Sequence, residues 1–393
     1  MNVRIDHIET KSCNALRKAL LVIMALLTFC KVDAQESVAK KDSVDENFVI
    51  ASVLLAEPGG AIYSNAGHVT LRLQCPDHKL DYVFSYESEN VAQKIPSFLA
   101  GNLKMGMFAI PTADYLNTYR QEQRGVKEYI LNMPLEAKRN LWRVCDNRVM
   151  QGANLPYDYI NRGCAYSTFQ MLQAGLDTIP IQFGSWPEKF KRLNRRELAA
   201  MQLADYPWTV CFMNFVCNGE VNAECSDKEK VVIPVDLIEV LSNAKLRGAP
   251  LLSSSPTQLI PSGPARQKPW FTPTLLASIL LLLTIVASLC KKGAMDYVLL
   301  FIQTILGIIT VYLVFVSDLV CTESSCLMLP FNPLPLLLWR WRRWWCLPYA
   351  IVIALWIVAV LLWPHSLTDT PFILLSVALI VSYVKIFVEN KKR

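Results

Sequence analysis

The chain has 393 residues, 53% of them hydrophobic, and a formal net charge of +6 at pH 7. The positive excess lies in the first 34 residues and in the apolar C-terminal part, whereas basic and acidic side chains balance over residues 35–269. With no basic surplus in that middle part, the composition argues against nucleic acid binding.

The first 34 residues predict an export signal. Arg17 and Lys18 precede an apolar run over residues 19–30, and Val32-Asp33-Ala34, directly before Gln35, is interpreted as a small-residue cleavage site. We expect cleavage after Ala34, with an uncleaved anchor as the alternative.

Residues 35–252 predict a domain of mixed strands and helices. A buried strand is expected over residues 48–55, and strands over 67–74 and 80–86 flank a polar turn and should pair antiparallel. The periodicity then predicts a helix over 91–100, an extended segment over 103–110, a helix over 113–123, a strand over 126–131 and a helix over 134–150.

His68 stands at the mouth of an alternating strand, directly after Gly67. The chain has four histidines, and this one alone has that position. The antiparallel pairing would place Tyr86 or Glu87 across from it, where either side chain would orient the imidazole. By itself a strand histidine is more often structural, so its partner decides its role.

Cys164 stands where the next helix should begin. Asn161 and Gly163 suit the preceding turn, and each is a candidate orienting or oxyanion-binding group. A thiol at a helix N-terminus feels the positive end of the macrodipole, and an oxyanion beside it finds N–H donors. The alternative is a buried structural cysteine or half of a disulfide. Together with His68, Cys164 predicts a Cys–His dyad of nucleophile and general base.

Cysteine pairing is predicted only from proximity. Residues 35–268 hold six of the chain's 12 cysteines, so one reserved as a nucleophile leaves another unpaired. The preferred disulfide joins Cys211 to Cys217 or to Cys225. No ligand spacing typical of a metal site accompanies these cysteines, and no metal or cofactor is expected.

A serine- and proline-rich linker over residues 253–269 leads into a membrane domain over residues 270–393. Basic clusters should stay in the cytoplasm, which fixes the direction of each span and puts Cys321 and Cys326, a second candidate disulfide, in an outer loop. Four spans are expected over residues 270–290, 297–317, 346–363 and 371–388.

A fifth apolar segment, over residues 327–338, contains three prolines and is expected to be broken or re-entrant. Irregular backbone at membrane depth must pack against protein or line a wet cavity. Asn332 in this segment is therefore a candidate for the lipid route, and a plain helix-breaking turn is the alternative.

Several motifs together resemble the Lnb-type N-terminal periplasmic domain, and the C-terminal part looks like the membrane part of the same proteins. The matching residues are Ser64, Gly67 and His68, then Tyr157 and Tyr159, then Cys164 with Ser167 and Thr168, and finally Asn332-Pro333-Leu334. The family often has an asparagine directly before the cysteine, where this chain has Gly163.

The resemblance implies an α+β papain-like fold, permuted so that histidine precedes cysteine as in the lecithin–retinol acyltransferase relatives, followed by an α-helical transmembrane bundle. The best-known members are bacterial lipoprotein N-acyltransferases. By that resemblance Cys164 takes an acyl chain from a phospholipid and passes it to the α-amino group of an S-diacylglyceryl-cysteine lipoprotein. The implied location is the bacterial inner membrane, with the N-terminal domain in the periplasm and the C-terminus in the cytoplasm.

The residues alone indicate membrane-bound thiol acyl transfer or hydrolysis. One alternative is a thiol hydrolase, acting as a peptidase, amidase or lipase, in which water is the acceptor. A non-enzymatic membrane assembly protein with a structural Cys164 is the other.

Overall fold

The structure is a computed structural model that describes residues 48–391 except for short gaps. The gaps are residues 92, 153, 159–160, 186, 223, 225–230, 254, 265–267, 321, 323–324 and 363–368. The expected export signal therefore lies outside the described residues, as do Tyr159, Cys225 and Cys321.

Ten strands are described. They are β1 Ile50–Ala56, β2 His68–Cys75, β3 Leu80–Ser88, β4 Lys104–Pro111, β5 Val126–Ile130, β6 Leu155–Pro156, β7 Ile181–Gln182, β8 Lys245–Leu246, β9 Ala249–Pro250 and β10 Thr257–Ile260. Seven form an antiparallel sheet in the order β10-β5-β1-β2-β3-β4-β6, and β7-β8-β9 form a small second sheet. The predicted pairing of the second and third strands is confirmed.

Eight of the described helices belong to the N-terminal domain. They are α1 Ile95–Leu99, α2 Thr112–Gln121, α3 Leu135–Met150, α4 Cys164–Leu176, α5 Glu188–Arg192, α6 Arg195–Gln202, α7 Pro207–Val216 and α8 Pro234–Ser242. The helix predicted over residues 91–100 is wrong in its first half, since α1 begins only at Ile95, where Pro96 suits the first turn.

Strand alternation gives the large sheet two apolar faces, and a helical layer covers each. Val69 and Leu71 lie on the face that packs against α3 and α4. Leu54 and Val83 lie on the other face, against Tyr115 and the rest of α2. This double burial explains why β1 is almost continuously apolar, and it fixes α4 over the centre of the sheet.

Five further helices form the C-terminal part: α9 Pro273–Leu289, α10 Ala294–Phe315, α11 Leu334–Leu337, α12 Arg342–Leu362 and α13 Thr370–Lys391. Three helical segments, Ala294–Phe315, Trp339–Leu362 and Thr370–Lys391, are long and apolar enough to cross a membrane. Helix α9 has 17 residues, about 25 Å of helix, because Thr272 caps its start three residues inside the predicted span. Its length is at the lower end of the usual range for a span.

The segment predicted to be broken is irregular, as expected. It consists of a 3₁₀ turn at Cys326–Met328, the short α11 and a second 3₁₀ turn at Trp339–Trp341. The Asn332 amide donates to Met328 O at 3.2 Å and Leu329 O at 3.1 Å, and its oxygen accepts from Leu334 N at 3.1 Å. These bonds fit the turn-forming alternative, and the same amide also donates to Tyr349 Oη in α12 at 2.7 Å. A place for Asn332 on the lipid route stays a prediction.

The N-terminal domain and the helical part share one buried apolar cluster. The rings of Phe215 in α7 and Phe372 in α13 are stacked with centroids 5.9 Å apart. After α1, Ser317 Oγ donates to Leu99 O at 2.5 Å, and a Cβ on Gly101 would lie 2.3 Å from the Asp318 carbonyl carbon. The backbone around Gly101 is therefore packed directly against the backbone around Asp318. This contact holds the sheet domain against the ends of the membrane helices.

The predicted linker over residues 253–269 is shorter in the structure. Within it, β10 pairs with β5 at the edge of the large sheet. The serine and proline content of this stretch indicated a loop, but an edge strand tolerates such neighbours because it pairs on one side only.

Candidate active site

Cys164 is the first residue of α4, as predicted. The helix buries Ala165, Phe169 and Leu172 against the sheet, so its first turn is held at one end of β2. Gly163 precedes it with extended backbone, and the helix start has no side-chain cap. The first backbone N–H groups of α4 therefore remain available to the sulfur or to a bound anion.

The sulfur of Cys164 lies against the backbone of β2. Burial raises the pKa of the Cys164 thiol, while backbone N–H groups of Val69, Ala165 and Cys164 itself oppose that rise. One turn along α4, Thr168 Oγ1 donates to Val69 O at 3.4 Å. The thiol therefore sits beside the residue that directly follows His68 in the chain.

His68 begins β2, and its imidazole is held by a side chain on the next strand. Its Nε2 lies 2.9 Å from Ser85 Oγ of β3. Gly67, with φ +80°, allows the tight approach, since a Cβ there would lie 2.8 Å from Ala56 O. Burial, followed by the positive charge of Arg124, lowers the pKa of His68 to about 4. The imidazole is therefore neutral at pH 7.

The strands open where these groups lie. The β2–β3 register ends at Leu71 and Phe84, so the first residues of β2 pair with β1 alone. Alternation puts the His68 side chain on the α2 face and Val69 on the α4 face. The imidazole and the sulfur thus flank the start of β2 from its two sides. Within the described part of the chain, no hydrogen bond joins the two groups, and none uses His68 Nδ1.

The predicted orienting residues do not hold the imidazole. Tyr86 lies on the opposite face of β3 from Ser85 and is buried in the core with α3 and α4. Glu87 is exposed, and neither forms a hydrogen bond with His68 among the described residues. Ser85 was missed because the prediction considered only the residue directly across and its neighbour. Side chains of diagonal pairs on one face of a sheet are also within reach of each other. Ser85 is such a diagonal neighbour of His68, so the strand pairing could have indicated it.

Asn161 builds the turn before α4. Its backbone N–H donates to Asp158 Oδ1 at 2.8 Å, and its amide donates to Asp158 Oδ2 at 3.1 Å. Arg162 N donates to Asp158 O at 3.0 Å, which closes the same turn. These contacts position the start of the helix and give Asn161 no bond to the sulfur in the described residues.

Tyr157 borders the sulfur on the side that faces the spans. Burial, together with the charges of Cys164 and Cys217, raises the pKa of its hydroxyl. The residue packs against both the sheet core and the cluster shared with the membrane helices. Its ring meets that of Phe98 edge-on at 5.9 Å between centroids.

The predicted Cys211–Cys217 disulfide is wrong, since the structure does not join these two sulfurs. Cys211 lies in α7 and Cys217 directly after it. Six residues of helix separate Cα atoms by about 9 Å along the axis, beyond the roughly 7 Å that a disulfide tolerates. Proximity in sequence was misleading because the segment is helical. The alternatives through Cys225 and Cys321 fall on residues outside those described and stay predictions.

Comparisons with known families agree with this two-part structure. The family model of the Lnb N-terminal periplasmic domain matches residues 36–193, which include both Cys164 and His68. The family model of the Lnb transmembrane domain matches residues 265–393, which include α9 to α13. No curated protein and no solved structure matches the chain.

Proposed function

The chain belongs to the Lnb family of membrane proteins with a periplasmic N-terminal domain, and from that premise we propose that it is a lipoprotein N-acyltransferase with Cys164 as its nucleophile. The observation that carries the proposal is the position of the Cys164 thiol, at a helix start and against the Val69 N–H. Val69 directly follows His68, whose imidazole is hydrogen-bonded to Ser85. Family membership supports a lipoprotein-modifying enzyme, and the site supplies the chemistry.

In the first half-reaction the sulfur attacks the carbonyl carbon of a phospholipid ester. As the S–C bond forms, the thiol proton passes to His68 Nδ1, which is the acceptor nitrogen when the tautomer carries its proton on Nε2, beside Ser85 Oγ. The C–O bond then breaks, and the imidazolium returns the proton to the leaving alkoxide. The products are a lysophospholipid and an acyl thioester on Cys164.

The oxyanion of that step needs hydrogen-bond donors close to the sulfur. The backbone N–H groups of Val69, Ala165 and Cys164 surround it already. Preorganised donors of this kind stabilise the tetrahedral intermediate by about 3 kcal/mol each. The imidazole and the sulfur lie on opposite sides of the start of β2, with no hydrogen bond between them among the described residues. Proton transfer therefore requires this end of β2, which pairs with β1 alone, to shift in the substrate complex until the two groups meet at hydrogen-bond distance or through one water molecule.

In the second half-reaction the α-amino group of the S-diacylglyceryl cysteine attacks the thioester. An amide forms, the C–S bond breaks, and the amine proton passes through His68 to the departing thiolate. An α-amino group has an ordinary pKa of about 8, so a modest base suffices to expose it. Burial of the site excludes water and so favours transfer to the amine over hydrolysis.

The contact between the domain and the spans supports a lipid substrate. The stacked rings of Phe215 and Phe372, and the backbone contact between Gly101 and Asp318, hold the site at the outer ends of the membrane helices. A phospholipid ester lies at that level of a bilayer.

The test is the modification of a reporter lipoprotein in bacteria that lack any other such enzyme. Mass spectrometry should find the third acyl chain with the wild-type chain and with Cys75→Ala, a buried cysteine at the far end of β2. It should find only the diacylated form with Cys164→Ala or His68→Ala. Full triacylation by Cys164→Ala would refute the proposal, and free fatty acid in place of the acylated amine would favour a thiol hydrolase.

A further inference from the structure

A series of aromatic rings leads from the sulfur to the domain surface. Tyr157 borders Cys164, its ring contacts Phe98, and the Phe98 ring lies 6.4 Å from that of Phe212 in α7. Phe98 is buried, whereas Phe212 is 39% exposed. The series is therefore closed at its middle and open at its outer end.

The outer end of this series is continuous with a membrane helix. Trp208 lies one turn before Phe212 on α7 and is 43% exposed. Its Nε1 donates to Phe271 O at 2.9 Å, and the two rings lie 5.6 Å apart. Phe271 and the highly exposed Trp270 precede α9, whose outward side chains are apolar and exposed. Tryptophan at such a position is typical of a membrane–water interface.

A second exposed apolar element is hydrogen-bonded to α7. The 3₁₀ turn Ile62–Ser64 presents Ile62 and Tyr63, which are 45% and 56% exposed. The side chain of Asn65, directly after this turn, is hydrogen-bonded to Thr209 Oγ1 of α7 at 2.5 Å. The chain then runs through Gly67 into His68. The turn and the exposed side of α7 are thus tied together next to the catalytic strand.

Phe212, on α7, and the exposed pair Ile62 and Tyr63 lie on two segments that the Asn65–Thr209 bond joins, and we call these three residues the entry rim. Large apolar side chains that are exposed on neighbouring segments often mark an interaction site. On its Phe212 side the rim adjoins α9 through Trp208 and Phe271, and it leads inward to Cys164 through Phe98 and Tyr157. Both features fit the hydrocarbon tail of a lipid.

We propose that the entry rim is where an acyl chain of a phospholipid leaves the bilayer, and that Phe98 and Tyr157 guide it to Cys164. This inference rests on the proposed function and adds the binding path of the acyl donor. It implies that the rim recognises chain length: a long chain must cross it, whereas a short, water-soluble ester reaches the thiol without it.

The experiment compares two donors in one sample of full-length protein. The protein is placed in nanodiscs of long-chain phosphatidylethanolamine and phosphatidylglycerol, and monomeric dihexanoyl phosphatidylcholine is added. Intact mass spectrometry separates the long-chain thioester from the hexanoyl thioester. The rim variants are Phe212→Ser and the double variant Ile62→Ser/Tyr63→Ser. Leu80→Ser is the control, because Leu80 is equally exposed but lies at the far end of the β2–β3 hairpin.

We expect both rim variants to form the long-chain thioester about tenfold more slowly, the effect of losing one buried aromatic or aliphatic contact. Their hexanoyl rate should equal that of the wild type and of Leu80→Ser. Unchanged long-chain rates, or an equal loss with both donors, would overturn the inference. A wild-type chain that is acylated by neither donor would instead overturn the proposed function on which it rests.

Discussion

His68 Nε2 and Ser85 Oγ lie 2.9 Å apart across two neighbouring strands, at the point where those strands separate. This bond selects the orientation of the imidazole and, when Nε2 carries the proton, leaves Nδ1 as the acceptor. In the proposed mechanism Ser85 is therefore a positioning residue that acts through His68.

Replacing Ser85 should impair the chemical step more than binding. With Ser85→Ala the imidazole loses its fixed tautomer, and we expect the turnover rate of acyl transfer to fall by about 10- to 100-fold with little change in KM. Ser85→Thr keeps the hydroxyl and should retain most of the activity.

Ser52→Ala is the matched control for Ser85→Ala. Ser52 is a fully buried serine of the same sheet whose hydroxyl donates to Glu128 on the neighbouring strand at 2.6 Å. Equal losses of turnover in the two variants would mean that Ser85 has only a structural role.

The low pKa of His68 predicts a particular pH dependence of stability. Because the pKa is about 4 in the folded state and 6.5 when exposed, the unfolded chain binds more protons between those values. The free energy of unfolding should therefore fall as the pH drops through that window, by about 3 kcal/mol from this group. Above pH 6.5 the contribution is constant.

The measurement is the difference in thermal unfolding between the wild type and His68→Gln from pH 4 to pH 8. Glutamine retains a donor for Ser85 but does not titrate, so the wild type should lose more stability toward pH 4. Parallel curves would show that the imidazole titrates normally in the folded protein.

The thiol should titrate above the ordinary range. Burial raises the pKa of Cys164 above the usual value of 9.0, and the neutral imidazole does not stabilise a thiolate by charge. We expect iodoacetamide to alkylate Cys164 slowly at pH 7 and at a rate that still rises above pH 9. Peptide mapping distinguishes Cys164 from exposed Cys290.

A midpoint of Cys164 alkylation below pH 7 would instead show a preformed thiolate–imidazolium pair. Failure of Cys164 to react even at high pH, while Cys290 reacts, would favour a structural cysteine and the non-enzymatic alternative.

The contact of Gly101 with Asp318 should matter for lipid acylation. Alanine at Gly101 adds a Cβ that meets backbone at 2.3 Å and also strains a residue whose φ is +76°. Gly248→Ala is the control, because Gly248 has φ +85° but open space around its Cβ position.

The backbone strain should cost both variants about 1 kcal/mol of unfolding free energy. Any further loss of unfolding free energy in Gly101→Ala would be the contribution of the Gly101–Asp318 contact. We expect that loss to be accompanied by slower acylation by membrane lipids. Identical behaviour of the two variants in thermal unfolding and acylation assays would show that this contact does not position the site.

Much of the N-terminal domain follows from its sequence because its periodicities are local. The β2–β3 hairpin, α3 and the start of α4 at Cys164 were predicted, since alternation, proline and turn residues mark their ends. The role of Ser85 was not predicted, because it depends on which diagonal neighbour an opening sheet brings to His68. The Cys211–Cys217 pairing failed for a related reason, since the intervening helix determines the distance.

The membrane part shows the same division. Hydropathy predicted the three helices that are long enough to cross a membrane and the shorter α9, and the three prolines predicted a break over residues 327–338. The docking of Gly101 on Asp318 and of Phe215 on Phe372 was not predicted, because it depends on contacts between residues far apart in the chain.

The most direct test is to find the acyl group on the enzyme. Full-length protein incubated with phospholipid, without a lipoprotein acceptor, should carry a hydroxylamine-labile acyl mass on the peptide that contains Cys164. Addition of a diacylated lipoprotein should remove that mass and place it, as a stable amide, on the lipoprotein's α-amino group. An acceptor that becomes triacylated while no acyl adduct ever forms on Cys164 would contradict the account.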